Sequence, residues 1–268
     1  MAERSSALHR FFIADDVIDC DVASIVGDQA HQVARVLRLR VGEQVILVDA
    51  GGLEHVVELS EVSARLVTGN VQSTRPSIGE PRLAITLYQG LVAREKLEWV
   101  IQKGTEVGIF RIVPVRCARS NVARGERVDD RRLERWRRIA TEAAEQSGRG
   151  RVPEIRPVVA LVDALADAVA TGPTLLAWEG ERARSVRDAL RLIQTTPCVA
   201  PTLALFIGPE GGFAPEEITL AATLGALTVS LGPRILRTET AGPVLAALAL
   251  YELGDMAPGR MSDVGADS

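Results

Sequence analysis

At 268 residues the chain has room for one large domain, or for a small one plus a medium one. Its 47% hydrophobic and 25% charged content is that of a globular protein with a real core, and no run of roughly 18 apolar residues is present, which excludes a spanning helix. The net charge of −4 conceals a segregation, since residues 1–72 carry 6 Arg against 11 acids while residues 116–156 carry 12 Arg against 7, so a local basic face for nucleic acid stays possible.

The polar start, Met1 to Arg10, lacks an apolar signal core, and the expectation is a cytoplasmic protein. Cys20, Cys117 and Cys198 are scattered and read as reduced thiols, with neither a disulfide framework nor a metal-ligand pair. All three histidines, His9, His31 and His55, lie in the first quarter, so a site built from the remainder must work without histidine. Of 31 basic residues only Lys96 and Lys103 are lysine; arginine suits phosphate, although a GC-rich genome gives the same bias.

Residues 1–72 read as a small β-rich domain. "GDQAHQVARVLRLRVGE" offers a short helix with Val33, Val36 and Leu37 on one side, and "EQVILVDAGGLEHVVELSEV" reads as a β-hairpin turning at Ala50-Gly51-Gly52. "STRPSIGEP" (73–81) has the composition of a linker. From Arg82 strand-like and helical segments alternate. The strands are expected at 83–89, 110–115, 174–179, 202–207 and 227–231. One helix carries the stripe Leu97, Val100, Ile101, Gly104 and Val107. A second, "DDRRLERWRRIATEAAEQSG", buries Leu133, Trp136, Ile139 and Ala143 and turns Arg131, Arg132, Arg135 and Arg138 outward. Such alternation predicts an α/β fold, a mainly parallel sheet covered by helices on both faces, with ligands at the carboxyl ends of strands.

Two glycine loops stand at such ends. "LFIGPEGGFAPEEI" (205–218) runs from strand through Gly208, Gly211 and Gly212 into a helix, and "LGPRILRTETAGP" (231–243) repeats the arrangement. A P-loop needs Gly-Lys-Ser/Thr, and no Gly-Lys pair occurs. The spacing is G-x-x-G-G, not the dinucleotide G-x-G-x-x-G. A nucleophile elbow and zinc chemistry lack their residues. What remains is backbone suited to a flat, uncharged base and its ribose. Either loop alone could be a plain connection; together, with Glu210, Arg237 and Glu239 among small residues, they favour a site.

"IGPEGGF" followed by "LGPRILRTETA" resembles the SPOUT methyltransferases, specifically the 16S ribosomal RNA uridine N3-methyltransferase family. "HRFFI", "HQVARVLRLRVGE", "KLEWVIQKGTEVGI" and "EAAEQSGR" resemble further family blocks in family order, so the likeness covers nearly the whole chain. Arginine replaces lysine in the basic stretches, and the acidic end is an individual extension. The resemblance implies a PUA-like β-barrel RNA-recognition domain (1–72), the linker 73–81, a SPOUT α/β methyltransferase domain with a trefoil knot (82–256), and a flexible polar tail (257–268). It implies S-adenosylmethionine as cofactor, contacted by Gly208, Gly211, Gly212, Leu231, Gly232, Ile235, Leu236 and Arg237, with no metal. It further implies a homodimer, joined partly by the helix "PVLAALALYEL" (243–253), which is apolar nearly all round.

The implied reaction needs the proton of uracil N3 removed, and Arg237 is the candidate for stabilising the resulting charge, with Glu210 or Glu239 as proton acceptor. Both glutamates could instead pin the loops. RNA contacts are assigned to Arg10, His31, Arg35, Arg38, Gln146 and Arg149, and the partner is 16S rRNA in the small ribosomal subunit. Two other readings stay open: a SPOUT enzyme acting on transfer RNA, and a non-catalytic RNA-binding assembly factor.

Overall fold

The computed structural model describes residues 8–120, 129–195 and 202–256. They divide into two compact units. The first holds the residues up to Glu80 together with Ala144–Val152, and the second holds the rest. Cys198 and the tail 257–268 lie outside the described residues.

The first unit is built on a six-stranded mixed sheet. Its strands are β1 (His9–Phe12), β2 (Ile18–Asp19), β3 (Val22–Val26), β4 (Gln44–Val48), β5 (Leu53–Val62) and β6 (Leu66–Pro76), in the order β1-β4-β5-β6-β3-β2. Only β1 with β4 is parallel. Alternation along β3, with Ala23 and Ile25 buried between exposed neighbours, gives the sheet one core-facing side. Phe11, Leu47, Val57, Leu59 and Val67 fill that side, joined by Ala30 from α1 (Gly27–His31) and Val33 from the π-helical turn Gln32–Val36 that continues it. β6 pairs with β5 as far as Leu53 opposite Pro76. The first four residues of the expected linker are therefore strand, because the long hairpin supplies their backbone partners.

The second unit carries seven strands, all paired in parallel. They are β7 (Ala84–Gly90), β8 (Arg111–Arg116), β9 (Glu154–Ile155), β10 (Val159–Ala160), β11 (Thr174–Ala177), β12 (Thr202–Ile207) and β13 (Leu227–Val229). The path is β10-β8-β7-β12-β11-β13, with β9 beside β8. Helices follow the strands: α2 (Arg94–Val107), α3 (Asp130–Ser147), α4 (Leu161–Thr171), α5 (Val186–Thr195), α6 (Pro215–Leu224) and α7 (Thr238–Glu252). α3 ends inside the first unit.

Successive strand residues point to opposite faces. Tyr88 and Phe206, stacked with ring centroids 4.3 Å apart, join Leu161 and Leu165 of α4 and Ala221 of α6 on one face. Leu87 and Gln89 meet Gly242 of α7 on the other. α2 ends at Gly108, whose φ of 109° forms the left-handed cap that glycine adopts at little cost. α7 is not enclosed on every side: Leu248 and Tyr251 are exposed, because its packing surface is the stripe Ala241, Leu245, Ala246, Ala249 and Leu250. Among the described residues no helix is long and apolar enough to cross a membrane.

Candidate active site

β11, β12 and β13 are neighbours in the sheet, so the segments following them emerge side by side at one end. Two of these are the glycine loops. Backbone contacts join the other pair: Trp178 N–H donates to Val229 O over 3.1 Å and Ser230 N–H to Arg184 O over 2.9 Å. Glu181 accepts from the Thr228 hydroxyl at 2.5 Å and from the N–H groups of Ala183 and Arg184. The Thr228 bond leads these in bringing its carboxyl down to about 2 against the opposing effect of burial.

The loop after β12 is held from several directions. Gly212 N–H donates to Pro209 O at 2.9 Å, and Arg119 Nη1 donates to Gly211 O at 3.1 Å. Glu217 receives Ala214 N–H on one oxygen and Ala118 N–H on the other, at 2.8 and 2.7 Å. From α7, the Thr238 hydroxyl donates to Gly208 O at 2.5 Å and accepts from Gln89 Nε2 at 2.9 Å. Side chains are excluded where the backbone turns. A Cβ on Gly208 would stand 3.2 Å from the Gly212 carbonyl carbon, and one on Gly212, at φ 66°, would stand 2.7 Å from Glu179 Oε1. The loop packs so closely on itself and on Glu179 that glycine alone fits at these two positions.

Gly208 is buried, Gly212 is half-buried and Gly211 is exposed. In the loop after β13, Leu231 and Leu236 are half-buried, while Gly232 and Arg237 are exposed. Ile235 is 87% exposed, unusual for an apolar side chain in a loop otherwise pinned at both ends. Arg237 immediately precedes α7 and makes no ion pair among the described residues. Glu239 lies in the first turn of α7, and its Oε2 is buried without a partner there. Glu210 is different. Burial would raise its pKa, but Lys96 Nζ at 3.0 Å and the N–H groups of Glu210 and Ala93 outweigh that and lower it. Cys117 is buried, and burial, then the Glu217 charge, push its thiol up to about 12.

Residues 79–250 match the RNA methyltransferase domain family model. Ribosomal RNA small subunit methyltransferase E of Bacillus subtilis is 33% identical over 91% of this chain and 96% of its own length. The Mycobacterium bovis protein of the same name is 34% identical over 91% and 90%. The chain belongs to this RNA methyltransferase family. A solved structure of Ribosomal RNA small subunit methyltransferase E from Neisseria gonorrhoeae bound to S-adenosyl methionine is similar at 28% identity, with a TM-score of 0.79, over 92% of this chain and 98% of that one.

The methyltransferase fold leaves the expected RNA residues in two groups. His31, Arg35, Arg38 and Gln146 are exposed. Arg10 and Arg149 are engaged inside their unit. Arg10 donates to buried Glu54 at 2.8 Å, and Arg149, 2% exposed, forks onto Glu80 at 3.0 and 2.8 Å. Two arginines that hold carboxylates inside their unit have no fork left for phosphate. The arginine face of α3 is likewise reduced: Arg135 pairs with Glu98 at 2.6 Å and Arg132 lies over the Trp136 ring at 5.2 Å. Arg131 remains exposed.

Sequence reasoning missed Gln89, Lys96, Arg119 and Glu217 as supports of the glycine loop. Gln89 alone left a signal, a long amide closing the apolar run "LAITLY". Glu217 stands in the first turn of α6 directly after the loop, whereas Lys96 and Arg119 reach the loop from segments distant in the chain.

Proposed function

We propose that the protein transfers a methyl group from S-adenosylmethionine to N3 of a uridine in 16S ribosomal RNA of the small subunit, in the cytoplasm. The observation that carries this is the glycine turn at Gly208–Gly212, fixed at the end of β12 by Thr238 and Arg119. Gly208, Gly211, Gly212, Leu231, Gly232, Ile235 and Leu236 would hold the cofactor, and exposed Ile235 gains an apolar partner. The cofactor supplies an electrophilic methyl group.

The chain's residues then position the uracil and manage one proton and one charge. The N3–H proton passes to a carboxylate, and Arg237 stabilises the negative charge left on the ring. Glu239 is the better acceptor, because Glu210 is committed to Lys96 and weakened as a base. The first unit reads RNA as a PUA-like barrel through His31, Arg35, Arg38 and Gln146. Arg38 sits at φ 56°, a conformation costly for arginine, and such strain concentrates at functional positions. The second unit is the SPOUT domain, with the knot of that class. Exposed Leu248 and Tyr251 on α7 form part of a homodimer contact.

Two measurements test the reading. Calorimetry with S-adenosylmethionine should show saturable binding, and nucleoside mass spectrometry of rRNA should show 3-methyluridine lost when the gene is removed and regained on its return. An intact 3-methyluridine content after removal refutes the substrate assignment. Light scattering that finds an active monomer at micromolar concentration refutes the dimer.

A further inference from the structure

Gln89 and Thr238 together hold one peptide, the bond between Gly208 and Pro209. Gln89 is the penultimate residue of β7 and is fully buried, and an amide there costs free energy unless bonded. Its Nε2 donates to Gly90 O at 3.2 Å and to Thr238 Oγ1 at 2.9 Å. The Thr238 hydroxyl has a single proton, which goes to Gly208 O at 2.5 Å. Donor order along the chain is therefore fixed: amide to hydroxyl to carbonyl.

The opposite side of this peptide is fixed by close packing. Gly90 lies so near that a Cβ there would stand 2.5 Å from Pro209 N and 2.8 Å from the Gly208 carbonyl carbon. Pro209 has no N–H, so the Gly208 carbonyl is the only polar group of that peptide. A carbonyl oxygen has two lone pairs, and Thr238 takes one. The second is left in an orientation that side chains from β7 and α7 have set.

We propose that Gln89, acting through Thr238, is a positioning residue for cofactor binding: it aims the free lone pair of the Gly208 carbonyl at an N–H donor of the methyl donor. This rests on the reading that the glycine loop holds S-adenosylmethionine. Gln89 touches no reacting atom, so its effect belongs in cofactor affinity rather than in turnover.

The test uses the full chain and three single variants: Gln89→Leu, Thr238→Val and Thr238→Ser. Gln89→Leu and Thr238→Val should each weaken S-adenosylmethionine binding about tenfold, the scale of one buried hydrogen bond, and raise its KM equally. kcat at saturating cofactor should stay within about twofold, since ground-state binding alone is changed. Thr238→Ser, which keeps the hydroxyl, should bind like the wild type. The double variant Gln89→Leu/Thr238→Val should be no weaker than Thr238→Val alone, because both remove one relay. Wild-type binding combined with additive losses, or with unchanged affinity in Gln89→Leu, overturns the relay. A wild type that fails to bind S-adenosylmethionine overturns the reading of the site instead. Should Thr238→Val fold poorly by thermal melting, Gln89→Leu beside Thr238→Ser carries the test, with weakened binding in the first, wild-type binding in the second and kcat preserved in both.

Discussion

Lys96 Nζ stands 3.0 Å from Glu210 Oε1, so one of the chain's two lysines joins the first turn of α2 to the glycine loop. The depressed carboxyl keeps this pair complete above the ordinary glutamate range, and the pair is lost only as pH falls through the lowered value. Near neutrality Glu210 is thus a loop support and a poor base. Glu210→Gln should keep single-turnover methylation within about fivefold, whereas Glu239→Gln should lose about a hundredfold or more. The reverse order of the two variants would exchange their roles.

Arg237 is exposed at the start of α7, with its guanidinium uncommitted among the described residues. If its charge acts on the uracil anion, Arg237→Ala should cut kcat by about a hundredfold while cofactor affinity changes less than about threefold. Stopped-flow methylation beside calorimetry separates the two. A loss confined to affinity makes Arg237 a cofactor contact only.

Gly212 faces two penalties on substitution. Its φ of 66° disfavours any L side chain, and a Cβ there would meet Glu179 Oε1 at 2.7 Å. Gly212→Ala should therefore lose about 1–2 kcal/mol of stability as well as cofactor affinity. Adding Glu179→Ala relieves the collision but not the backbone strain, so stability should recover in part. Full recovery in denaturant titrations would show that the φ angle contributes nothing.

Much of the architecture was legible because strands and helices alternate with turn residues between them. The run 202–207 coincides with β12, and the stripe Leu97, Val100, Ile101 and Gly104 is the buried side of α2. The glycine loops stood out for the same reason, since a cluster of glycines after an apolar strand needs explaining. What pattern could not give was partnership. Arg10 and Arg149 look in sequence like Arg35 and Arg38, yet only folding brings Glu54 and Glu80 against the first two. Gln89 and Thr238, 149 residues apart, meet only through the sheet order.

Acid should reveal the Glu98–Arg135 pair. The Arg135 hydrogen bond leads, with Arg94 assisting against burial, in holding the Glu98 carboxyl at about 2. A depressed carboxyl contributes stability that is full above the ordinary glutamate range and disappears as pH falls toward the lowered value. Urea midpoints of the wild type and Glu98→Gln should differ at about pH 7 and converge by about pH 2. A gap that persists unchanged to the lowest pH would assign the variant's defect to packing.

The last expectation separates arginines that build the first unit from those proposed to contact RNA. Arg10→Ala leaves buried Glu54 with Arg75, at 3.1 Å, and the Ser77 side chain, and should lower stability by about 1–3 kcal/mol. Arg35→Ala/Arg38→Ala removes two exposed side chains and should leave the melting temperature within a few degrees. The double variant should weaken binding to small-subunit RNA and flatten the dependence of log affinity on log salt by about 0.7 to 0.9 for each phosphate no longer neutralised. Cofactor affinity should not move in either variant. If Arg10→Ala flattens the salt slope while the double variant leaves it untouched, the RNA face of this unit lies along β1 rather than beyond α1.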